Sequence, residues 1–179
     1  MAKLKKDETL SLILAALFTA LIAVLAQIPP TTHEFPITLQ TFAIALCGYT
    51  LSVKYSLFSI VSYILLGAVG APVFSGLCGG LHHVTGPAGG FILAFPVLVF
   101  FCSFSQRFKF SLTKIAFGIC GMLIMYSVGV LYFSAITQNP LWTALIMYAP
   151  VFLKDMASCV LAFYISKIIR KRITKKSAQ

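Results

Sequence analysis

The chain has 179 residues, of which 59% are hydrophobic and 10% are charged, and its mean hydropathy is +0.95. Such a composition excludes an ordinary soluble domain and indicates an all-α integral membrane protein with a single domain over residues 1–179. The formal net charge is +10. Because the basic residues gather at the ends and in the loops, they indicate membrane topology and disfavour nucleic-acid binding.

Six apolar segments predict six transmembrane helices, because a crossing needs about 20 mostly apolar residues and fewer where the helix packs inside a bundle. In chain order they cover residues 10–28, 37–52, 55–70, 89–104, 115–136 and 145–169. The second and third are separated only by Val53 and Lys54, which predicts a tight helical hairpin.

The distribution of Lys and Arg predicts the orientation of these helices. All 14 basic residues except Lys154 fall on one side of the six-span arrangement. We therefore expect a multi-pass protein of the cytoplasmic membrane, with cytoplasmic tails at residues 1–9 and 170–179.

The N-terminus is similar to a signal peptide, with Val24-Leu25-Ala26 as a cleavage site. We expect it to be retained, since its removal would leave five spans.

The first span carries small residues on one face. Ala16, Ala20, Ala23 and Gln27 share that face, while leucines occupy the opposite one. Small residues let a second helix approach closely in lipid. The face either packs within the protein's own bundle or docks on another membrane subunit.

The loops on the outward side differ from the inward ones in being rich in proline and glycine. They cover residues 29–36, 71–83 and 137–140. Irregular backbone near a membrane is tolerated where protein or a water-filled cavity shields it, so these loops predict a ligand pocket. Gln40 lies beside the first of them, where its amide either holds that loop or contacts the ligand.

Asp155 is the only acid outside the N-terminal tail and Glu34, and it lies within an apolar span. Intramembrane acids are costly, and a ligand contact is the functional interpretation. The alternative is a salt bridge with a nearby cation or a bond to a loop backbone. Lys154 points about 100° away around the helix and either snorkels to the surface or turns toward an anionic ligand.

His82 and His83 are adjacent in the second outward loop. A metal site needs further ligands at suitable spacing, and Cys78 alone supports one weakly, so we expect polar residues at the pocket mouth and no metal. The five cysteines include no C-x-x-C pair and are interpreted as small apolar residues.

The run of residues 86–90, Gly-Pro-Ala-Gly-Gly, begins the fourth span. Gly89 and Gly90 suit close backbone approach and exposed amides at a helix N-terminus, where an anionic group is favoured. The run is not a phosphate-binding P-loop, and no catalytic set accompanies it anywhere in the chain. We therefore expect neither an enzyme nor a cofactor.

Three motifs, taken with Asp155, resemble the BioY family. They are Pro-Ile-Thr-Leu-Gln-Thr-Phe at residues 36–42, Leu-Leu-Gly-Ala-Val-Gly-Ala-Pro-Val-Phe-Ser-Gly at residues 65–76, and Gly-Pro-Ala-Gly-Gly-Phe at residues 86–91. The family comprises the biotin-binding S components of energy-coupling-factor (ECF) transporters. The similarity runs in order over nearly the whole chain, and the combination of motifs is specific.

The resemblance implies a six-helix S component that captures biotin from outside and presents it, within the lipid bilayer, to a transmembrane coupling subunit carrying two ATPases. Asp155 would bind the ureido ring of biotin, and the residues Cys78, Gly79 and Gly80 would line the same end of the pocket. The small-residue face with Ala16, Ala20 and Ala23 would dock on the coupling subunit. ATP would be used by the partner subunits.

The chain departs from the family pattern at two places. Family members commonly have Gly before this Asp and Lys three residues after it, where this chain has Lys154 and Ser158. An Arg that some members carry after the Gly-Pro-x-Gly-Gly motif is replaced by Ile92 or Leu93. The biotin carboxylate would then be held by Lys154 or by backbone amides near Gly89 and Gly90.

The alternatives to biotin uptake are an S component for another vitamin, a structural or assembly membrane subunit, and an intramembrane enzyme.

Overall fold

The structure is a computed structural model that describes residues 2–28 and 38–177, with the side chains of residues 8–28 and 38–173. Within these ranges the regular structure is helical, apart from one isolated antiparallel bridge between Phe74 and Cys78. The helices are α1 (Ala2–Ala26), α2 (Gln40–Thr50), α3 (Val53–Ala68), α4 (Leu81–Thr85), α5 (Gly89–Phe104), α6 (Ser111–Thr137) and α7 (Leu141–Ser177), with a 3-10 turn at Ser105–Arg107. The predicted all-α class is confirmed.

Four of the described helices are long and apolar enough to cross a membrane. They contribute the segments Glu8–Ala26, Gly89–Arg107, Ser111–Thr137 and Leu141–Ile173. The apolar helix α3 has 16 residues and α2 has 11. Several membrane crossings are thus supported, whereas the count of six and the orientation of the ends stay predictions.

The helix boundaries agree best where the apolar pattern and the helix end together. The fourth predicted span and α5 share both limits, Gly89–Phe104. α6 and α7 extend beyond their predicted spans, because the helices continue into polar sequence after the apolar run has ended. For the same reason the predicted tails are helical over residues 2–9 and 170–177.

α2 lies at the centre of the bundle, which explains how so short a helix is accommodated. All of its residues except Phe42 are buried, and it packs mainly against α7 and α5. A Cβ at Gly48 would lie 2.6 Å from Cys102 Cβ, so glycine permits the close approach of α2 to α5. The connection to α3 is as short as predicted but lies at Leu51 and Ser52, and α3 is a lesser partner of α2.

The connection between α3 and α4, residues 69–80, forms a compact loop that we call the α3–α4 loop. Its ends are tied by a hydrogen bond of 2.7 Å from Gly80 N to Gly67 O, and Phe74 pairs with Cys78 through backbone hydrogen bonds of 2.9 and 3.3 Å. Gly80 has φ +107°, a conformation that favours glycine. The short helix α4 that follows was not predicted from the apolar pattern.

Hydrogen bonds between elements define two ends of the bundle. At the loop end, Tyr132 Oη of α6 donates to Thr85 O of α4 over 3.1 Å. At the opposite, basic end, Lys114 of α6 and Arg170 of α7 both donate to Gln106 Oε1. The described basic side chains near that end are Lys54, Arg107, Lys109, Lys114, Lys167, Arg170, Lys171 and Arg172. Lys154 lies at the loop end, so the two ends differ in charge as the sequence predicts.

Candidate ligand-binding site

A cavity of about 290 Å³ lies at the loop end, among α2, α5, α6, α7 and the α3–α4 loop. Its wall is apolar and aromatic with a few polar groups, the character of small-molecule sites in proteins. The lining residues are Thr38, Gln40, Thr41, Phe74, Ser75, His83, Ala88, Phe91, Ile92, Phe95, Met125, Tyr126, Tyr148, Val151, Lys154 and Asp155. Three of the predicted site residues, Gln40, Lys154 and Asp155, are therefore brought together here.

Asp155 is held at the cavity wall by partners from two other helices. Its side chain is nearly inaccessible, with 2% of the residue exposed. The oxygen Oδ2 accepts hydrogen bonds from Thr41 Oγ1 of α2 at 2.9 Å and from Tyr126 Oη of α6 at 2.6 Å. These two hydroxyls fix the orientation of the carboxylate.

Lys154 forms an ion pair with Asp155. Its Nζ lies 2.5 Å from Asp155 Oδ1 and 2.5 Å from the carbonyl oxygen of Thr38. The salt-bridge alternative for Asp155 is thus observed, because the flexible Lys154 side chain turns back toward the neighbouring residue. Despite the short contact, Oδ1 has no hydrogen bond of acceptable geometry among the described residues. A buried carboxylate oxygen needs partners, so Oδ1 relies on the ion pair with Lys154 and on any donor that a ligand brings.

Gln40 supports a loop. Its Nε2 donates to Tyr63 Oη over 2.9 Å, and Tyr63 Oη donates to Val73 O over 3.1 Å. The loop held in this way is the α3–α4 loop. The first outward loop, residues 29–36, lies outside the described residues. Gln40 also lines the cavity, so the structural and the ligand-contact interpretations are compatible.

Gln27, at the end of α1, holds the same loop from a second side. Its Nε2 donates to Val73 O at 3.2 Å and to Phe74 O at 2.9 Å, while its Oε1 accepts from Leu77 N at 2.7 Å. Leu77 has φ +56°, a conformation that is strained for leucine. The amide of Gln27 therefore fixes the backbone that carries Phe74 and Ser75 to the cavity.

Aromatic rings form much of the remaining wall. Phe91 contacts Tyr126 edge-on, with ring centroids 5.5 Å apart, and lies 4.8 Å from the ring of Tyr148. Sequence reasoning did not single out Tyr126 or Tyr148. The available signal was a phenol hydroxyl inside an apolar span, where the hydroxyl group needs a partner.

Several predicted site residues lie next to the cavity rather than on its wall. Cys78 pairs with Phe74 and so shapes the loop. A Cβ at Gly79 would lie 2.3 Å from Ala71 O, and one at Gly90 would lie 2.4 Å from Tyr132 Cβ, so these glycines permit close packing. The amide of Gly89 donates to Gly86 O at 2.8 Å. Gly80 ends the loop. A ligand contact for any of these residues stays a prediction.

The adjacent histidines have different surroundings. His83 is half-buried and lines the cavity, whereas His82 is exposed with its ring centroid 4.3 Å from that of His83. Partial burial and the nearby His82 lower the pKa of His83 below the usual histidine value. No group of three or more metal-ligating side chains occurs within the described ranges.

The small-residue face of α1 points partly away from the bundle. Ala16 and Ala20 are exposed and Ala23 is half-buried. The residues of α1 that face the bundle are Ala15, Phe18, Thr19, Ile22 and Ala26. Packing inside the protein's own bundle therefore does not account for Ala16 and Ala20.

Comparisons with known proteins agree with one another. The model of the BioY family matches residues 1–175. The biotin transporter BioY of Thermotoga maritima is 33% identical over 161 residues, which cover 89% of this chain and 95% of that protein. The probable biotin transporter BioY of Pyrococcus horikoshii is 41% identical over 116 residues, covering 65% of this chain and 69% of that protein.

A solved structure has the same fold. The crystal structure of the S-component for biotin from an ECF-type ABC transporter superposes with a TM-score of 0.85 at 26% sequence identity. The match covers 93% of this chain and 93% of the other. The helical arrangement described above is therefore that of a membrane-embedded S component.

Proposed function

The chain belongs to the BioY family, and we propose that it takes up biotin as the substrate-capturing S component of an ECF-type transporter. The observation that carries this proposal is a buried carboxylate, Asp155, at the wall of a cavity of small-molecule size. The activity is transport, and biotin leaves the protein chemically unchanged.

Asp155 binds the ureido ring of biotin. The ring has two N–H donors and a carbonyl acceptor, and Asp155 Oδ1 is a buried acceptor without a hydrogen bond of good geometry among the described residues. An N–H donated to a carboxylate is a strong, charge-assisted hydrogen bond. Lys154 supports this arrangement by balancing the charge of Asp155.

The aromatic wall receives the apolar bicyclic ring of biotin. Phe91, Tyr126 and Tyr148 enclose the cavity, and Gln40 keeps Tyr63 and the α3–α4 loop in place. The volume of about 290 Å³ is at the lower limit of ligand pockets, which suits a small vitamin. The loop segments Cys78 to Gly80 and the glycines Gly89 and Gly90 then act by shaping this pocket.

The protein crosses the cytoplasmic membrane six times with both ends in the cytoplasm. In this arrangement the basic end faces the cytoplasm, in accordance with the positive-inside rule, and the loop end with the cavity faces outward. α2 and α3 cross as short helices, and α2 is shielded from lipid because nearly all its residues are buried in the bundle.

The partners are a transmembrane coupling subunit and two ATPase subunits. The exposed Ala16 and Ala20 on α1 provide a flat strip on which a helix of the coupling subunit packs closely. ATP hydrolysis on the partner subunits then drives release of biotin to the cytoplasm.

Calorimetric titration of the purified protein with biotin tests the binding function. We expect binding with a dissociation constant below about 1 μM. Asp155→Asn should weaken it at least tenfold, because an amide accepts the ureido hydrogen more weakly than a carboxylate. Ser158→Ala, one helical turn away and off the cavity wall, is the matched control. Thermal stabilisation by a different vitamin and none by biotin would contradict the proposal.

A further inference from the structure

The polar side chains that line the cavity come from two sets of elements. One is the Asp155 group, formed by α7 with Thr41 from α2 and Tyr126 from α6. The other is formed by Ser75 of the α3–α4 loop and His83 of α4, elements that pack against α3 and α5. Biotin is also polar at two separated places, the ureido ring and the carboxylate at the end of its aliphatic chain.

Lys154 is committed to the first region. Its ammonium group contacts both Asp155 Oδ1 and Thr38 O, and moving it to a distant carboxylate would leave Asp155 buried without a counter-charge. Removing one partner of a buried ion pair is strongly unfavourable. Lys154 and His83 are the residues of the cavity wall, as far as the structure describes it, that can carry a positive charge.

Three of the first four amides of α5 already have backbone acceptors. The amide of Gly89 donates to Gly86 O at 2.8 Å, and the amides of Phe91 and Ile92 both donate to Ala88 O, at 3.1 and 3.3 Å. An incoming carboxylate would have to displace these backbone acceptors. His83, in contrast, presents an aromatic ring with two nitrogens at the half-buried wall.

We propose that His83 binds the carboxylate of biotin as an imidazolium, so that binding takes up a proton. This inference rests on the proposed function, since it assigns the second end of the same ligand. The carboxyl group is ionised above about pH 5, and His83 takes its proton from solvent as the complex forms. The protonated ring then donates an N–H to a carboxylate oxygen, a charge-assisted hydrogen bond.

The direction of the pH effect follows from the surroundings of His83. In the unliganded protein its pKa is lowered by partial burial and by His82, so the ring is largely neutral at neutral pH. A bound carboxylate raises the pKa of His83, since an opposite charge favours the protonated form. Affinity for biotin is therefore highest below the pKa of the unliganded ring and decreases as pH rises to the pKa in the complex.

Other titratable groups lie on the elements around His83. Tyr63 of α3 and Tyr132 of α6 are phenols that donate hydrogen bonds to the α3–α4 loop and to α4. α5 presents no ionisable side chain near the cavity. The other titratable groups that line the cavity with His83 are Lys154, Asp155, Tyr126 and Tyr148. Lys154 and Asp155 form an ion pair at the other polar region.

Calorimetric titration of the full-length protein with biotin, from about pH 5.5 to pH 8.5, tests the assignment. The wild-type affinity should fall about tenfold across this range, because each tenfold change corresponds to a shift of one pKa unit on binding. Titrations near neutral pH in buffers of different ionisation enthalpy should show uptake of up to one proton per biotin. Biotin methyl ester, which lacks the carboxylate charge, should bind with pH-independent affinity.

Three histidine variants identify the group. His83→Gln should abolish the pH dependence for biotin, and measurable binding of the ester shows that the variant is folded. His82→Gln should move the transition to higher pH and keep the plateau affinity at low pH. His33→Gln, at a position outside the described residues, should behave as the wild type.

The inference would be overturned by pH-dependent biotin binding that persists in His83→Gln, or by an equal pH dependence for the methyl ester. Loss of the pH dependence in His33→Gln would also overturn it. These outcomes differ from failure of the proposed function, in which neither biotin nor its ester binds the wild type at any pH.

Discussion

The hydroxyl of Tyr126 donates a hydrogen bond of 2.6 Å to Oδ2 of Asp155 and so joins α6 to α7 at the wall of the cavity. Thr41 donates a second hydrogen bond to the same oxygen at 2.9 Å. Because both hydroxyls occupy Oδ2, the carboxylate is held with Oδ1 toward Lys154 and available to a ligand. Tyr126 therefore positions the acid that is proposed to recognise biotin.

Removing this hydroxyl should weaken biotin binding with little loss of structure. A hydrogen bond to a charged group is worth about 1.5–3 kcal/mol, so we expect Tyr126→Phe to raise the dissociation constant at least tenfold. Calorimetry with purified protein measures the change. Tyr148→Phe keeps a ring in the same wall and removes a hydroxyl that does not contact Asp155, so its effect should be small. Equal losses in both variants would contradict the positioning role.

Lys154 and Asp155 should behave as a coupled pair in thermal unfolding. Lys154→Met leaves a buried carboxylate without its counter-charge and should destabilise the protein, by less than the roughly 3–5 kcal/mol of a fully buried pair because Lys154 is 29% exposed. The double variant with Asp155→Asn should recover part of the melting temperature, since the uncompensated charge is gone, but should not recover biotin binding.

The unliganded melting temperatures of both single variants and the double variant provide this measurement. If the double variant is destabilised by the sum of the single effects, the two side chains are not energetically coupled. If it binds biotin as the wild type does, Asp155 is not the recognition acid.

The sequence predicted the apolar helices and singled out Asp155 as a candidate site residue, because both signals are local in the chain. α5 and its predicted span share their limits, since the apolar run there begins at a glycine and ends at polar residues. Asp155 stands out since a carboxylate in an apolar segment is costly. Such signals need no knowledge of neighbouring helices.

The contacts between helices could not be predicted in the same way. Gln27, Tyr63 and Tyr126 are ordinary polar residues at helix ends or within spans, and their partners are 46, 10 and 29 positions away in the chain. Lys154 was expected to point away from Asp155, but a long flexible side chain is not restricted by its Cα position on the helix. These features depend on which helices are neighbours.

Gln27 provides a test of how the α3–α4 loop shapes the pocket. Gln27→Leu removes the donors to Val73 O and Phe74 O and the acceptor for Leu77 N, whose φ of +56° is strained for leucine. We expect faster amide hydrogen exchange over residues 73–78. Biotin affinity should fall by about 5- to 30-fold, since about 1–2 kcal/mol of support for the loop is lost.

Matched variants separate this local effect from general destabilisation. Gln106→Leu, at the basic end, should leave exchange in the loop and biotin affinity unchanged. Adding Leu77→Gly to Gln27→Leu should recover part of the affinity, because glycine adopts the positive φ without strain. Unchanged exchange in Gln27→Leu would show that the loop is held by other contacts.

The exposed alanines of α1 test the proposed assembly with a coupling subunit. Ala16→Trp and Ala20→Trp place a large ring on a strip where close helix approach is proposed, and overpacking of such a contact costs about 1–3 kcal/mol or more. Both variants should bind biotin as the wild type does, because the two positions are exposed and do not line the cavity. They should copurify with much less of the coupling and ATPase subunits and support little uptake of biotin by cells.

Ala116→Trp, at an exposed position of α6, is the matched control and should assemble normally. Normal assembly of both α1 variants would place the docking surface elsewhere on the protein.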